Sequence, residues 1–398
     1  MSDEWQPTWQ GRHVSELPTP SMLLDLDVVE RNVKRMAEGA KRLGVRLRPH
    51  FKTSRCLPVA ALQEAAGCDG FTVSNLDELR VLAASGRRDL TWAYPVILTR
   101  LGELIEILGG YPECRVGLVV DSEEALGALA SRLAEGRGER PAGLWIKVDC
   151  GYHRVGVDPE SEGLPRLVEQ VLKAETLEFR GILSHSGHSY HQPGRVHALA
   201  VAYEERDVMV RCAEGLRRRG LPVPEVSVGS TPAMSALIQT PDAHLGGITE
   251  ARPGNYVFYD GSQVAIGSCG VTDCALTVLS SVVSCSPGAS HAVIDAGALS
   301  LSKDPGPAWV DPPSFGLASP AAPDGESTGN GESIGNGGPN LRVVSLSQEH
   351  GRLSGPLPVG SRVRVLANHS CLTVPHFRRF VAVRGERVVG TGDVRPLP

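Results

Sequence analysis

Between residues 45 and 252 the chain repeats one pattern eight times: a short β-type run, then a stretch with helical spacing. The runs are residues 45–49, 70–73, 90–94, 116–120, 144–148, 179–184, 225–228 and 247–252. Strands that alternate with helices pair in parallel, because each crossover returns the chain to the same edge. Eight such units predict an α/β fold built on a closed TIM (β/α)8 barrel rather than an open doubly wound sheet. Helix starts are marked by Asn75 with Glu78 and by Asp121 with Glu124, both at capping-box spacing. Ahead of the barrel, residues 21–26 read as a strand and 27–43 as a helix. Val29, Val33, Met36, Ala40 and Leu43 form one apolar stripe there, with Asp27 and Glu30 as its capping signature.

Past residue 260 the rhythm changes. Residues 271–283, 291–295, 341–346, 362–366 and 377–383 are β-type with no helix of any length between them, which predicts a mostly antiparallel β domain. Residues 305–340 are rich in Gly, Ser, Pro and Asn and are expected to be a flexible insertion. The expected organisation is a segment 1–26 packing with the C-terminal β domain, a barrel over 27–260, and the β domain over 261–398.

Bulk properties exclude several classes. Apolar content of 41% with 21% charged residues describes a globular protein, and a net charge of −5 leaves no basic footprint for nucleic acid. No run approaches the roughly 20 apolar residues of a membrane span. The polar start MSDEWQPTWQ lacks the apolar core of a signal peptide, so a cytoplasmic location is expected. Nine scattered cysteines without a CxxC pair fit reduced thiols.

In a TIM barrel, chemistry gathers at the C-terminal ends of the strands. The first strand delivers Lys52, just beyond Pro49, which bars a helix there. A lysine amine at such a point can form a Schiff base with a carbonyl, although a lone lysine far more often reads as a solvated surface residue. The fifth strand runs into Asp149-Cys150-Gly151-Tyr152-His153-Arg154, the sixth into His185-Ser186-Gly187-His188-Ser189-Tyr190. The seventh ends in Gly229-Ser230-Thr231, the eighth in Arg252-Pro253-Gly254-Asn255-Tyr256. The last two loops are where this architecture usually binds phosphate; alone, Gly-Ser-Thr is also an ordinary turn. Far along the chain, His369 and Cys371 are two residues apart. If the preceding strand continues, they share a face and can meet one ion, an imidazole and a thiolate favouring zinc (Zn2+) over Mg2+. Alone, they also read as a buried histidine beside a core cysteine. His376 is expected to be incidental.

Taken in order, TPSMLLDLDVVERNV, RPHFKTSR, KVDCGYHRVGV, GILSHSGHSY, SVGSTPAM, ARPGNYVFYD, VIDAGALSLSKD, LSQEHG and NHSC resemble the fold-type III pyridoxal 5'-phosphate (PLP) enzymes of the D-serine dehydratase and D-threonine aldolase group, relatives of alanine racemase. The resemblance covers the chain apart from 305–340. It implies a PLP-binding barrel, a β domain and a homodimer. It makes Lys52 the Schiff-base lysine and catalytic residue, sets Arg154 near the cofactor's phenolic oxygen, and packs His185 on its ring. Gly229, Ser230, Thr231, Gly254 and Asn255 would hold the phosphate, Arg252 would face the pyridine nitrogen, and Tyr256 would join the cofactor-binding set. His369 and Cys371 correspond to the group's metal pair. The implied activity is a PLP- and metal-dependent lyase acting on D-configured β-hydroxy amino acids. D-Serine to pyruvate and ammonia is favoured, because His-x-Cys and the Gly187–Tyr190 segment resemble dehydratases. The alternatives are a D-threonine aldolase, an amino-acid racemase and a non-catalytic PLP-binding protein, the last opposed by about 140 residues of chain beyond the barrel.

Overall fold

The computed structural model describes residues 2–136, 141–321 and 341–395. Two compact units are present: residues 36–52 with 63–254, and residues 2–35 with 53–62 and everything from Asn255 onward. The chain opens with β1 (Ser21–Asp25) and α1 (Leu26–Arg42). The predicted stripe of α1 is entirely buried, each large aliphatic side chain contributing roughly 1.5–3 kcal/mol. Its start differs from expectation. Asp25, not Asp27, caps the helix, with Oδ1 accepting the N–H groups of Asp27 and Val28. Asp27 and Glu30 instead pair with Arg384.

In the first unit the eight anticipated runs become β2 (Arg46–Leu47), β3 (Phe71–Val73), β4 (Asp89–Pro95), β5 (Arg115–Val120), β6 (Ala142–Lys147), β7 (Leu177–Leu183), β8 (Glu225–Val228) and β9 (Glu250–Ala251). Between them in sequence lie α2 (Leu57–Ala65), α3 (Leu76–Ala84), α4 (Leu101–Gly110), α5 (Glu123–Gly136), α6 (Gly163–Lys173), α7 (Arg195–Arg218) and α8 (Thr231–Ile238). The parallel sheet runs β2-β9-β8-β7-β6-β5-β4-β3. A parallel bridge from His50 to Thr72 closes it into the predicted barrel. Asn75 caps α3 as read from sequence, accepting the Glu78 N–H at 2.8 Å. At α5 the cap is Ser122, because Asp121 is drawn away to the Gly156 N–H.

Two barrel glycines are there for space. A Cβ on Gly117 would come 2.7 Å from the indole nitrogen of Trp145, which is fully buried with Val119 and Leu183. Gly181 has φ +141°, and a Cβ there would lie 1.9 Å from the carbonyl oxygen of Glu225. Any side chain at 181 would wedge β7 from β8.

The second unit holds β10 (Leu276–Ser284), β11 (Val293–Ile294), β12 (Gly316–Pro320), β13 (Leu341–Leu346), β14 (Gly351–Leu353), β15 (Arg362–Ala367), β16 (Arg379–Arg384) and β17 (Arg387–Asp393), with short helices α9 (Gly261–Ile266), α10 (Ala298–Leu301) and α11 (Ser370–Thr373). The sheet order is β11-β14-β13-β12-β15-β10-β1-β16-β17, and β10 also pairs with β11. Six antiparallel strands thus close on themselves around Val278, Ile294, Val343, Leu353, Val363 and Val365. β1 extends this sheet, antiparallel to β10 and parallel to β16.

Two expectations are corrected. Residues 271–273 form a 3-10 turn rather than the start of a strand, because the Asp273 carboxylate folds back onto the Gly270 N–H. Within 305–340, residues 305–321 are ordered: β12 pairs with β13 and β15, so composition alone misread the edge of the insertion. Residues 322–340 lie outside the described residues.

Candidate active site

In the barrel unit, the chain leaves the sheet at Phe51, whose N–H donates to the Thr72 carbonyl at 2.8 Å and whose ring is fully buried. That anchor throws the next residue, Lys52, outward, and its side chain is exposed. His185 ends β7's loop with Nδ1 2.9 Å from the Gly229 carbonyl. A carbonyl only accepts, so Nδ1 carries the proton and Nε2 does not. Burial pushes the imidazole well below its ordinary range, and the charges of Lys147 and Lys52 push further. Tyr152 stands edge-on to His185 at 6.3 Å between ring centres, and the guanidinium of Arg154 lies 4.9 Å over Tyr152.

The loop after β8 is shaped by helix capping. Ser230 caps α8, its Oγ accepting the Ala233 N–H at 3.3 Å and lying 2.8 Å from Ser189 Oγ. Its hydroxyl is therefore engaged, while the Thr231 hydroxyl meets the Gly254 N–H at 3.3 Å. The tips of the β8 and β9 loops converge at a helix N-terminus, where partial positive charge collects. Arg252 is committed to the barrel wall, its terminal nitrogens bonding Ser227 Oγ and the Ser184 carbonyl.

Sequence reading missed Lys147, at the end of β6. Only 6% exposed, its amine is pushed down to about 7 by burial and then by Arg252. The signal was available: a charge closing the apolar strand Ala142–Lys147, the rule that singled out Lys52. Arg252, Arg154 and Lys52 bring positive charge to this end of the barrel, which suits an anionic cofactor with an aldehyde for Lys52.

In the second unit, Asn255 and Tyr256 begin a 3-10 turn, Tyr256 fully buried. The Asn255 amide donates to Asp260 at 2.7 Å and Ser370 at 3.0 Å, and lies 3.6 Å from Cys371 Sγ. β15 does not continue as anticipated. It stops at Ala367, and His369 caps the single turn of α11, so a helical turn rather than a strand face brings His369 and Cys371 together. Behind His369 stands a residue unassigned from sequence, Asp304, with Oδ2 2.9 Å from Nδ1. Asp304 is itself oriented by the Gly306 N–H at 2.8 Å. The Thr53 hydroxyl lies 3.2 Å from Cys371 Sγ. His376 is exposed. Among the described residues no group of three or more His, Cys, Asp or Glu could hold a metal.

Burial disfavours a charged His369, but Asp304 and then Cys371 outweigh it and push the imidazole up to about 11. The pocket thus draws positive charge. With Asp304 holding Nδ1, the Nε2 atom and the Cys371 sulfur offer zinc the nitrogen and thiolate donors it prefers, backed by the carboxylate–histidine support common at such sites.

Residues 24–261 match the alanine racemase N-terminal domain family, and residues 275–383 a putative serine dehydratase domain. The D-threo-3-hydroxyaspartate dehydratase of Delftia sp. (strain HT23) is 35% identical over 95% of this chain and 97% of its own length. The D-serine dehydratase of Dictyostelium discoideum is 30% identical over 94% of this chain and 96% of its own. A solved structure of a cysteine-to-alanine variant of D-threo-3-hydroxyaspartate dehydratase, in the metal-free form, aligns with a TM-score of 0.85 at 32% identity, over 96% of this chain and 98% of that one. Barrel, second domain and near full-length relatives agree: the chain belongs to the alanine racemase-like, fold-type III PLP enzymes, in the group that carries a serine dehydratase domain.

Proposed function

We propose that this protein is a PLP- and zinc-dependent lyase that removes water from a D-configured β-hydroxy amino acid, D-serine being the simplest substrate, to give a 2-oxo acid and ammonia. The observation that carries elimination is the His369–Cys371 donor pair with Asp304 behind it. It is a soft, zinc-type set rather than the oxygen-rich set that suits Mg2+ or Mn2+. The relatives named for dehydration support the same choice.

In this reading the barrel over 27–260 binds the cofactor, and 261–398 carries the metal pair. Bound PLP supplies an electron sink for negative charge at the substrate Cα. Bound zinc supplies Lewis acidity for the departing β-hydroxyl. The protein's own residues do the rest. Lys52 would hold the cofactor through Nζ, and its amine, when free, would take the Cα proton. The N-terminus of α8, with Gly229, Ser230 and Thr231, and the Gly254–Asn255 turn hold the phosphate. His185, neutral and with its Nδ1 proton on Gly229, offers a flat face to the ring. Arg154 is assigned to the phenolic oxygen. Arg252, whose terminal nitrogens bond Ser227 and the Ser184 carbonyl, is assigned to the pyridine-nitrogen side of the ring. Tyr256 is assigned to the cofactor-binding set. We assign the enzyme to the cytoplasm as a homodimer.

The test incubates the protein with D-serine, D-threonine and D-threo-3-hydroxyaspartate, with and without a chelator. Elimination yields pyruvate, 2-oxobutanoate or oxaloacetate with one ammonia each, and chelation stops it. Glycine with an aldehyde would establish retro-aldol cleavage instead. Loss of optical activity without either product, insensitive to chelator, would mark a racemase.

A further inference from the structure

The buried carboxylate of Glu205 is used by no step above. It sits on α7, 1% exposed. Four donors meet it: Ser184 Oγ at 2.7 Å, Ser186 Oγ at 2.6 Å, the Gly229 N–H at 3.4 Å and Cys150 Sγ at 3.9 Å. An acceptor this deep, met only by donors, behaves as the fixed centre of a polar network.

Those donors lie at informative places. Ser184 and Ser186 flank His185 on either side. Gly229 presents its N–H to Glu205 and its carbonyl to His185 Nδ1 at 2.9 Å. Glu205 thus holds the residue before His185, the residue after it, and the residue whose carbonyl accepts its Nδ1–H. The network also reaches the phosphate loop. The single hydroxyl proton of Ser186 goes to Glu205, the shorter of its two contacts, and Ser186 Oγ lies 3.3 Å from Ser230 Oγ. Ser189 spends its proton on the Ser186 carbonyl at 2.7 Å. Its contact with Ser230 at 2.8 Å is therefore donated by Ser230. The carboxylate takes the hydroxyl hydrogen bonds of Ser184 and Ser186, the Ser186 carbonyl takes that of Ser189, and Ser230 is left to donate to Ser189.

We infer that Glu205 is a positioning residue: through Ser184, Ser186 and Gly229 it locks the His185 ring and the Gly229–Thr231 phosphate loop into one rigid frame for the cofactor. This rests on the PLP reading above. The test measures PLP affinity of the cofactor-stripped full-length protein by absorbance titration, for wild type, Glu205→Gln and Ser186→Ala, alongside pyridoxal, which lacks the phosphate. Glu205→Gln keeps the shape but presents an NH2 where hydroxyls now donate. It is expected to weaken PLP binding tenfold or more, to weaken pyridoxal less, and to reduce the circular dichroism of the bound chromophore. Ser186→Ala should lose affinity in the same direction by threefold or more. If Glu205→Gln does not fold, Ser186→Ala decides alone. Unchanged PLP affinity in the folded variants overturns the inference, as does an equal loss for PLP and pyridoxal with unaltered dichroism, which would mark a merely structural acid. Absence of PLP binding by the wild type would overturn the PLP reading and the inference with it.

Discussion

Replacing Lys147 by methionine should stabilise the cofactor-free protein, and by an amount that depends on pH. The amine is buried at the end of β6, with the positive charges of Arg252 and Arg154 adding to the cost of burial and only partial relief from Cys150 and Glu205. Its pKa falls from 10.5 to about 7. At 1.36 kcal/mol for each pH unit, burying this group costs on the order of 4–5 kcal/mol when it must be charged. The sign follows from proton counting. Between pH 7 and 10.5 the unfolded chain holds a proton that the native amine has released, so native stability rises with pH across that window. Below pH 7 both states are protonated and the whole penalty stands. Lys147→Met removes the titration but keeps an unbranched chain of similar length. Its gain should therefore be about 4–5 kcal/mol at pH 6, roughly half that near pH 9, and only a packing increment above pH 10.5. Urea unfolding of both proteins at each pH, followed by the fluorescence of the fully buried Trp92 and Trp145, measures it directly. A gain that does not change with pH, or a loss of stability at pH 6, would refute the buried-cation argument.

Asp304→Asn leaves a hydrogen bond to His369 but removes its charge, so zinc affinity should fall about tenfold, within the range known for such supporting residues. Zinc retained against a chelator series, with PLP absorbance as control, checks this, and unaltered retention would separate Asp304 from the metal. Gly187→Ala places a Cβ 2.2 Å from the Tyr152 ring. Tyr152, with Arg154 stacked on it, must then move, and kcat/KM should drop at least tenfold while the thermal midpoint changes by only a few degrees. Lys52→Ala should abolish the yellow absorbance of the lysine-bound cofactor and all turnover. A coloured, active variant would remove Lys52 from the mechanism.

Local sequence determined the elements and their class. Strand alternation and helical stripes are short-range patterns, so eight parallel units could be read before any contact was known, and the C-terminal-end rule then pointed to Lys52, His185, Thr231 and Gly254. The β-rich stretch after residue 260 was legible for the same reason. Errors arose where a neighbour in space overruled one in sequence. Asp121 looks like a cap until Gly156 claims its carboxylate, and Gly316–Pro320 looks like linker until β13 and β15 pair with it. His369 and Cys371 were brought together in sequence by a continuing strand, where the fold uses a helical turn.

Only the tertiary structure assigned the groups that act through others. Asp304 meets His369 across 65 residues, and Thr53 meets Cys371 across 318. Glu205 falls on the apolar stripe of α7 with Ala198, Val201, Met209 and Cys212, so its spacing turns it inward, but only the fold supplies the serines that meet it. A hydrogen bond depends on the three-dimensional approach of two atoms, and burial alone decides whether a lysine such as Lys147 is an ordinary cation or an amine held near neutrality. Periodicity along the chain carries the scaffold; the charge states and orientations that equip it for chemistry exist only once distant segments have closed on one another.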